Sequence, residues 1–118
     1  MSKLFEIDGK TTVITGGGGI ICSALAKQMA ACGAKVVVLD LSLESARRTA
    51  REITDDGNEA IALACDVLSL ESIQQAATVV MEHYGSVDIL INGAGGNHPK
   101  ATTGPDHSFF DLHLRKQS

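Results

Sequence analysis

Four consecutive glycines, Gly16 to Gly19, and one carboxylate, Asp40, are the residues of this chain best suited to chemistry. Glycine has no Cβ, so its backbone can approach a pyrophosphate closely. A helix opening just behind such a run supplies free N–H groups and the positive end of its dipole. A carboxylate at the end of the following strand accepts hydrogen bonds from ribose hydroxyls. Asp40 lies 24 residues after Gly16, close to the roughly 20-residue spacing of a βαβ nucleotide unit. The chemistry indicated is recognition of a dinucleotide. Glycines also serve ordinary tight turns, so a parallel α/β domain with a merely glycine-rich first turn is the plain alternative. The strand before the run, the helix after it and the distant acid favour the nucleotide site.

Those residues need elements to hold them. Thr11 to Ile14 reads as a short β-branched strand. An amphipathic helix follows, with Ala24, Leu25, Met29 and Ala30 expected on one side, and Gly33 ends it. Val36 to Leu39 reads as a second, buried strand with Asp40 at its carboxyl end. Ser42 is placed to cap a second helix carrying Ala46, Ala50 and Ile53, with Gly57 as its C′ residue. Ala60 to Cys65 makes a third strand. Ser69 can cap a third helix with Leu70, Ile73, Ala76, Ala77, Val80 and Met81 at helical spacing, stopped by Gly85. Val87 to Ile91 is a fourth strand. Strands alternating with helices imply parallel, right-handed crossovers. Residues 93–108 hold Gly93, Gly95, Gly96, Gly104 and both prolines, and read as a loop. Phe109, Phe110, Leu112 and Leu114 mark the start of a further helix.

Composition narrows the function classes. At 118 residues the chain makes one domain, able to bury roughly two thirds of its surface. Apolar residues make up 44% and aromatics only 3%, so the core must be Ala, Val, Ile and Leu, as in buried parallel sheets. The net charge is −4 and the pI about 5.4, and Arg47, Arg48 and Arg51 form one solvated helix face. Nucleic acid is therefore not expected as a partner. The opening MSKLFEIDGK has no apolar signal core, and no run approaches the roughly 18 residues of a membrane span, so a cytosolic protein is expected. Cys22, Cys32 and Cys65 are odd in number and far apart, which favours small buried hydrophobes over a disulfide or metal site. The four histidines show no ligand spacing, and His83 ends a helix, where a cation suits the dipole. No metal site is expected.

Four separated elements resemble the short-chain dehydrogenase/reductase family, in the family's order. They are TGGGG at 15–19, Asp40, Asp66-Val67 after the third strand, and Asn92-Gly93-Ala94-Gly95 after the fourth, together covering residues 5–96. The glycine turn is similar to the family's Thr-Gly-x-x-x-Gly-x-Gly. Thr15 and Gly16 match, while the second and third family glycines fall on Ile20 and Cys22. Gly19 can stand in for the former by a shift of one position. Cys22 brings a Cβ where helix packs on strand. Gly93 stands where the family's Asn-Asn-Ala-Gly motif has its second asparagine. The resemblance implies a Rossmann-like doubly wound parallel sheet, here its first four strands in the order 3-2-1-4. It implies that Gly16, Gly18, Gly19, Ile20 and Ile21 face the cofactor phosphates. Asp40 would take the adenosine ribose, Asp66 and Val67 would flank the adenine, and Asn92, Gly93 and Ala94 would line the path to the nicotinamide. On local features alone, Asp66 is a helix-preceding cap and Asn92 a strand-end hydrogen bonder. A carboxylate at position 40, followed by Leu41 and Ser42 rather than a cation, favours NAD(H) over NADP(H). The stretch AGGNHPKATT at 94–103 resembles sugar-acid members of the family, of the D-mannonate oxidoreductase or fructuronate reductase kind. Asn97, His98 and Lys100 would then suit a hydroxylated, anionic substrate, with Lys100 as a point charge. A solvated polar loop is the alternative there.

The family transfers its proton through Tyr-x-x-x-Lys with a nearby serine. The single tyrosine here is Tyr84, and the residue four later is Asp88, while Ser108 has no tyrosine partner. No catalytic residue is identified. The expectation is the N-terminal piece of a longer reductase, holding the cofactor site without the proton-transfer machinery. A fourth strand at the sheet edge would be uncovered, and so prone to self-association. A non-catalytic nucleotide-binding module and an S-adenosylmethionine-dependent methyltransferase on a similar fold are the competing classes.

Overall fold

The computed structural model describes residues 7–93 and 100–103. Strands β1 (Thr11–Thr15), β2 (Lys35–Asp40), β3 (Ala60–Ala64) and β4 (Ile89–Asn92) pair in parallel in the order β3-β2-β1-β4. This is the expected Rossmann-like arrangement. Helix α1 (Ile20–Ala31) joins β1 to β2, α2 (Leu43–Asp55) joins β2 to β3, and α3 (Leu70–Tyr84) joins β3 to β4.

The sheet is covered on both faces, which explains its unbroken Val and Ile runs. Successive side chains point to opposite faces. Ile14, Val36, Val38, Ile89 and Ile91 therefore pack with α1 and α2, whereas Val13, Val37, Leu39 and Leu90 pack with α3. Val36, Val37 and Val38 are wholly buried. Thr11 at the start of β1 is tied across to Asp88, whose Oδ2 accepts the Thr11 N–H at 2.9 Å. Ser42 and Ser69 cap α2 and α3 as expected, each hydroxyl accepting the N–H three residues on at 3.2 Å. Gly85 closes α3 with a left-handed φ of +80°.

Two expectations need correction. The inner face of α1 is Cys22, Ala26 and Ala30, with Leu25 and Met29 half-buried beside it. Ala24 is exposed, because two residues of helix turn it about 200° from Ala26. An i, i+4, i+8 row of small side chains lets α1 lie close on the sheet.

The second correction concerns the sheet edge. Residues 93–108 are not loop throughout: β5 (Lys100–Thr103) pairs antiparallel with β4, matching Ile89 to Thr103 and Asn92 to Lys100. The edge of β4 is thus covered from within the same chain and is not the self-association surface expected. Unpaired strand N–H and C=O groups are costly, and the β-branched Thr102 and Thr103 suit a strand. The helix expected from Phe109 onward lies outside the described residues.

Candidate cofactor site

All four parallel strands point their carboxyl ends at one edge of the sheet, and there the candidate residues gather. β1 ends in Thr15 and the chain reverses at Gly16, whose φ of +70° is a left-handed conformation suited to glycine. Gly17 and Gly18 have no room for side chains. A Cβ on Gly17 would meet the Val38 side chain, and one on Gly18 would lie 2.8 Å from Asp40 Oδ2 and 2.5 Å from Ser45 Cβ. The run of glycine is therefore a packing requirement of the turn.

The amides of the turn divide into two sets. Gly17 N–H donates to the Leu39 carbonyl at 2.9 Å, Gly18 N–H to Asp40 Oδ2 at 2.9 Å, and Gly19 N–H to the Gly16 carbonyl at 3.1 Å. These three face inward. α1 starts at Ile20 behind an extended Gly19 that supplies no side-chain cap. The first amide to return to the turn is that of Ser23, which donates to the Gly19 carbonyl at 2.8 Å. The N–H groups of Ile20, Ile21 and Cys22 are the first-turn donors that a helix leaves over. Gly16, Gly18 and Gly19 thus shape the cradle, and Ile20 and Ile21, joined by Cys22, present its donors. Ile20 and Ile21 are 90% and 65% exposed, so this end of the helix is open among the described residues.

Asp40 points at the turn. Its Oδ2 accepts from Gly18 and its Oδ1 accepts the Ser42 N–H at 2.9 Å. An ionised carboxylate has about four acceptor positions, and these two bonds use half of them. Asp40 also lines a cavity of about 370 Å³ together with Gly16, Leu41, Asp66, Val67 and Leu68. Asp66 is not the cap of α3, a role that Ser69 fills; its Oδ1 accepts the Leu68 N–H at 3.0 Å before the helix begins, and its own N–H donates to Ser72 Oγ at 2.8 Å. Leu41 and Leu68 are large apolar side chains on this lining, left 74% and 93% exposed. Sequence reasoning passed over both. Their signal was a large apolar residue one or two positions beyond Asp40 and Asp66.

At the end of β4, Thr15 Oγ1 donates to Asn92 Oδ1 at 2.7 Å, and the Gly93 N–H reaches both the carbonyl and the hydroxyl of Thr15 at 3.1 Å. Asn92 and Gly93 are therefore locked to the strand that carries the glycine turn. Ala94, Asn97 and His98 lie outside the described residues, and Lys100 is placed only by its backbone in β5.

Burial, followed by the negative charge of Asp40, pushes the Cys22 thiol up from its usual range. Burial does the same to Cys65, reinforced by Asp66 and opposed by a hydrogen bond with Ser72. Tyr84 lies at the opposite end of the sheet, its ring 5.7 Å from the ammonium of Lys35, which begins β2. Lys35 and Asp40 are separated by about 16 Å of strand. No cluster of three metal-ligating side chains occurs among the described residues, and no described helix is long and apolar enough to cross a membrane.

A parallel sheet in this order, with a glycine turn opening a helix and a strand-end carboxylate bonded to that turn, defines the class: a Rossmann-like nucleotide-binding domain. Comparison with known proteins makes it specific. The short chain dehydrogenase family model matches residues 10–112, and the chain belongs to that family. It is 45% identical, over 118 residues, to the uncharacterized oxidoreductase UxuB of Bacillus subtilis, covering 93% of this chain and 42% of that one. A solved structure of a candidate D-mannonate oxidoreductase of Haemophilus influenzae, with bound NAD, is 44% identical with a TM-score of 0.74, covering 78% of this chain and 33% of that one. The hydroxysteroid dehydrogenase of Escherichia coli is 34% identical with a TM-score of 0.76, covering 95% of this chain and 52% of that one. The chain spans about two fifths of the length of the curated relatives it matches.

Proposed function

We propose that this chain carries the cofactor site of an NAD(H)-dependent oxidoreductase acting on a hydroxyl or carbonyl of a small polar substrate, of the sugar-acid class. The observation that carries the reading is the Asp40–Gly18 contact of 2.9 Å, which puts a strand-end carboxylate directly on the glycine turn. The N–H groups of Ile20, Ile21 and Cys22 would hold the diphosphate, and Asp40 the adenosine ribose. Leu41, Val67 and Leu68 would enclose the adenine, and Asn92, Gly93 and Ala94 would border the nicotinamide. The cofactor, when bound, supplies or accepts a hydride. A fixed carboxylate at the ribose disfavours a 2′-phosphate, which supports NAD(H) over NADP(H). The NAD named in the Haemophilus structure agrees with this choice, and that protein's name supports a sugar acid such as D-mannonate or fructuronate as substrate. Three free cysteines, Cys22, Cys32 and Cys65, support a cytosolic setting.

Tyr84 packs at the far edge of the sheet beside Lys35, so proton transfer is not assigned to it. That observation favours a second reading, a dinucleotide-binding module without turnover of its own. Calorimetric titration with NADH, NADPH and S-adenosylmethionine tests the first reading. Saturable binding of NADH, tighter than NADPH, with none of S-adenosylmethionine is expected, and preference for either competitor overturns it. Hydride transfer assayed with D-mannonate or fructuronate then separates a catalyst from a binding module.

A further inference from the structure

One narrow face of α2 lies against the glycine turn. Ser45, Arg48 and Thr49 are spaced i, i+3, i+4 and so share a side of the helix. Ser45 Cβ sits where a side chain on Gly18 would go. An Arg48 guanidinium nitrogen lies 3.5 Å from the Gly18 carbonyl. Thr49 is 1% exposed, and its hydroxyl donates to the Gly17 carbonyl at 3.1 Å across 32 residues of sequence. A threonine inside a helix commonly returns its hydroxyl proton to the carbonyl four residues back, as Thr78 does with Gln74 at 2.9 Å. Thr49 instead directs it out of the helix and onto the turn.

The acceptor it chooses matters. The Gly17 carbonyl belongs to the same peptide unit as the Gly18 N–H, and that unit is planar and trans. Thr49 therefore holds one end of a plate whose other end is bound to Asp40 at 2.9 Å. Glycine on both sides gives this plate no side-chain resistance to flipping. A flipped plate would turn the N–H away from Asp40 and leave a buried carbonyl facing the carboxylate. We propose that Thr49 is a positioning residue for the cofactor site: it fixes the Gly17–Gly18 peptide plane, and through it the orientation of Asp40 toward the ribose. The proposal rests on the cofactor reading above.

The test compares Thr49→Val, which replaces the hydroxyl by a methyl, with Thr49→Ser, which keeps it. NADH titration and amide hydrogen exchange are measured on both and on the unmodified chain. Thr49→Val is expected to weaken NADH binding about tenfold, the size of one lost buried hydrogen bond, and Thr49→Ser to stay within about twofold. Exchange at Gly18 should accelerate in Thr49→Val while the core amides of Val37 and Val38 keep their protection, a pattern general destabilisation would not give. Unchanged NADH binding in Thr49→Val, equal loss in Thr49→Ser, or parallel acceleration at Val37 and Val38 overturns the proposal. Should Thr49→Val fail to fold, the unmodified chain still decides it: a Gly18 amide exchanging like an exposed one contradicts a pinned peptide plane. An unmodified chain that ignores NADH but protects Gly18 overturns the cofactor reading and leaves Thr49 as a structural pin only.

Discussion

The thiol of Cys22, in the first turn of α1, fills the space that a side chain at Gly93 would need. A Cβ on Gly93 would collide with Cys22 Sγ and come within 3.0 Å of the Thr15 carbonyl. These are two positions at which the chain departs from its family's motifs, and they touch. The Cys22 side chain occupies the room beside Gly93, so the two positions should be energetically coupled. Gly93→Ala should cost about 1–3 kcal/mol from overpacking. Cys22→Gly should recover part of that loss in the double variant, with a coupling of about 0.5–3 kcal/mol. Recovery stays partial, because the Thr15 carbonyl remains. Urea melts of the four proteins measure it, and strictly additive effects would contradict the account.

Asp40 joins the end of β2 to the glycine turn and to Ser42. Asp40→Ala removes both bonds, each of which has a charged acceptor. Stability should fall by about 1.5–3 kcal/mol, NADH binding should weaken at least tenfold, and the preference over NADPH should narrow. Paired titrations of the variant with both cofactors, alongside a thermal melt, check all three.

Leu68 offers the opposite balance, since it is 93% exposed and so adds little to the core. Leu68→Ser should leave the stability within about 0.5 kcal/mol. If the adenine lies against it, NADH affinity should drop by roughly threefold to tenfold through lost apolar burial. A melt that shifts while affinity does not would remove Leu68 from the site.

How much of this was legible in the sequence depends on the range of each signal. The Ser42 and Ser69 caps, the stop at Gly85 and the β-branched strands are local, and the structure keeps them. The turn and Asp40 were legible from spacing, because a βαβ unit fixes how far apart they lie. The Thr49 hydroxyl was not legible, since its partner Gly17 is 32 residues away and a threonine mid-helix has many explanations. Cys22 and Gly93 stood out singly as departures, but only the packing of α1 against the end of β4 connects them. Ala24 was grouped with Leu25, Met29 and Ala30 on one side of α1, but its angular position turns it outward. β5 was hidden by the glycines and prolines around a four-residue strand.

Alkaline pH should weaken the fold. Cys22 and Cys65 are raised above 9.0 chiefly by burial, and Tyr84 above 10.0 by burial and the charge of Glu59. All three groups keep their protons longer when folded than when unfolded. Between the two ranges the unfolded chain binds fewer protons, so stability falls as pH rises. The loss should already be under way at pH 9.0, where the unfolded thiols are half ionised. The melting temperature across that range checks it, and a midpoint that climbs with pH would oppose it. Tyrosinate absorbance should also appear at higher pH in the folded chain than in urea.

The most direct test is to follow the backbone amides of the chain while NADH is added. The largest nitrogen and proton shifts should fall on Ile20, Ile21 and Cys22, with a second group at Leu41, Val67 and Leu68. Saturable binding that leaves the first turn of α1 unmoved, or that shifts only the far edge around Lys35 and Tyr84, would contradict the assignment of this turn as the diphosphate cradle.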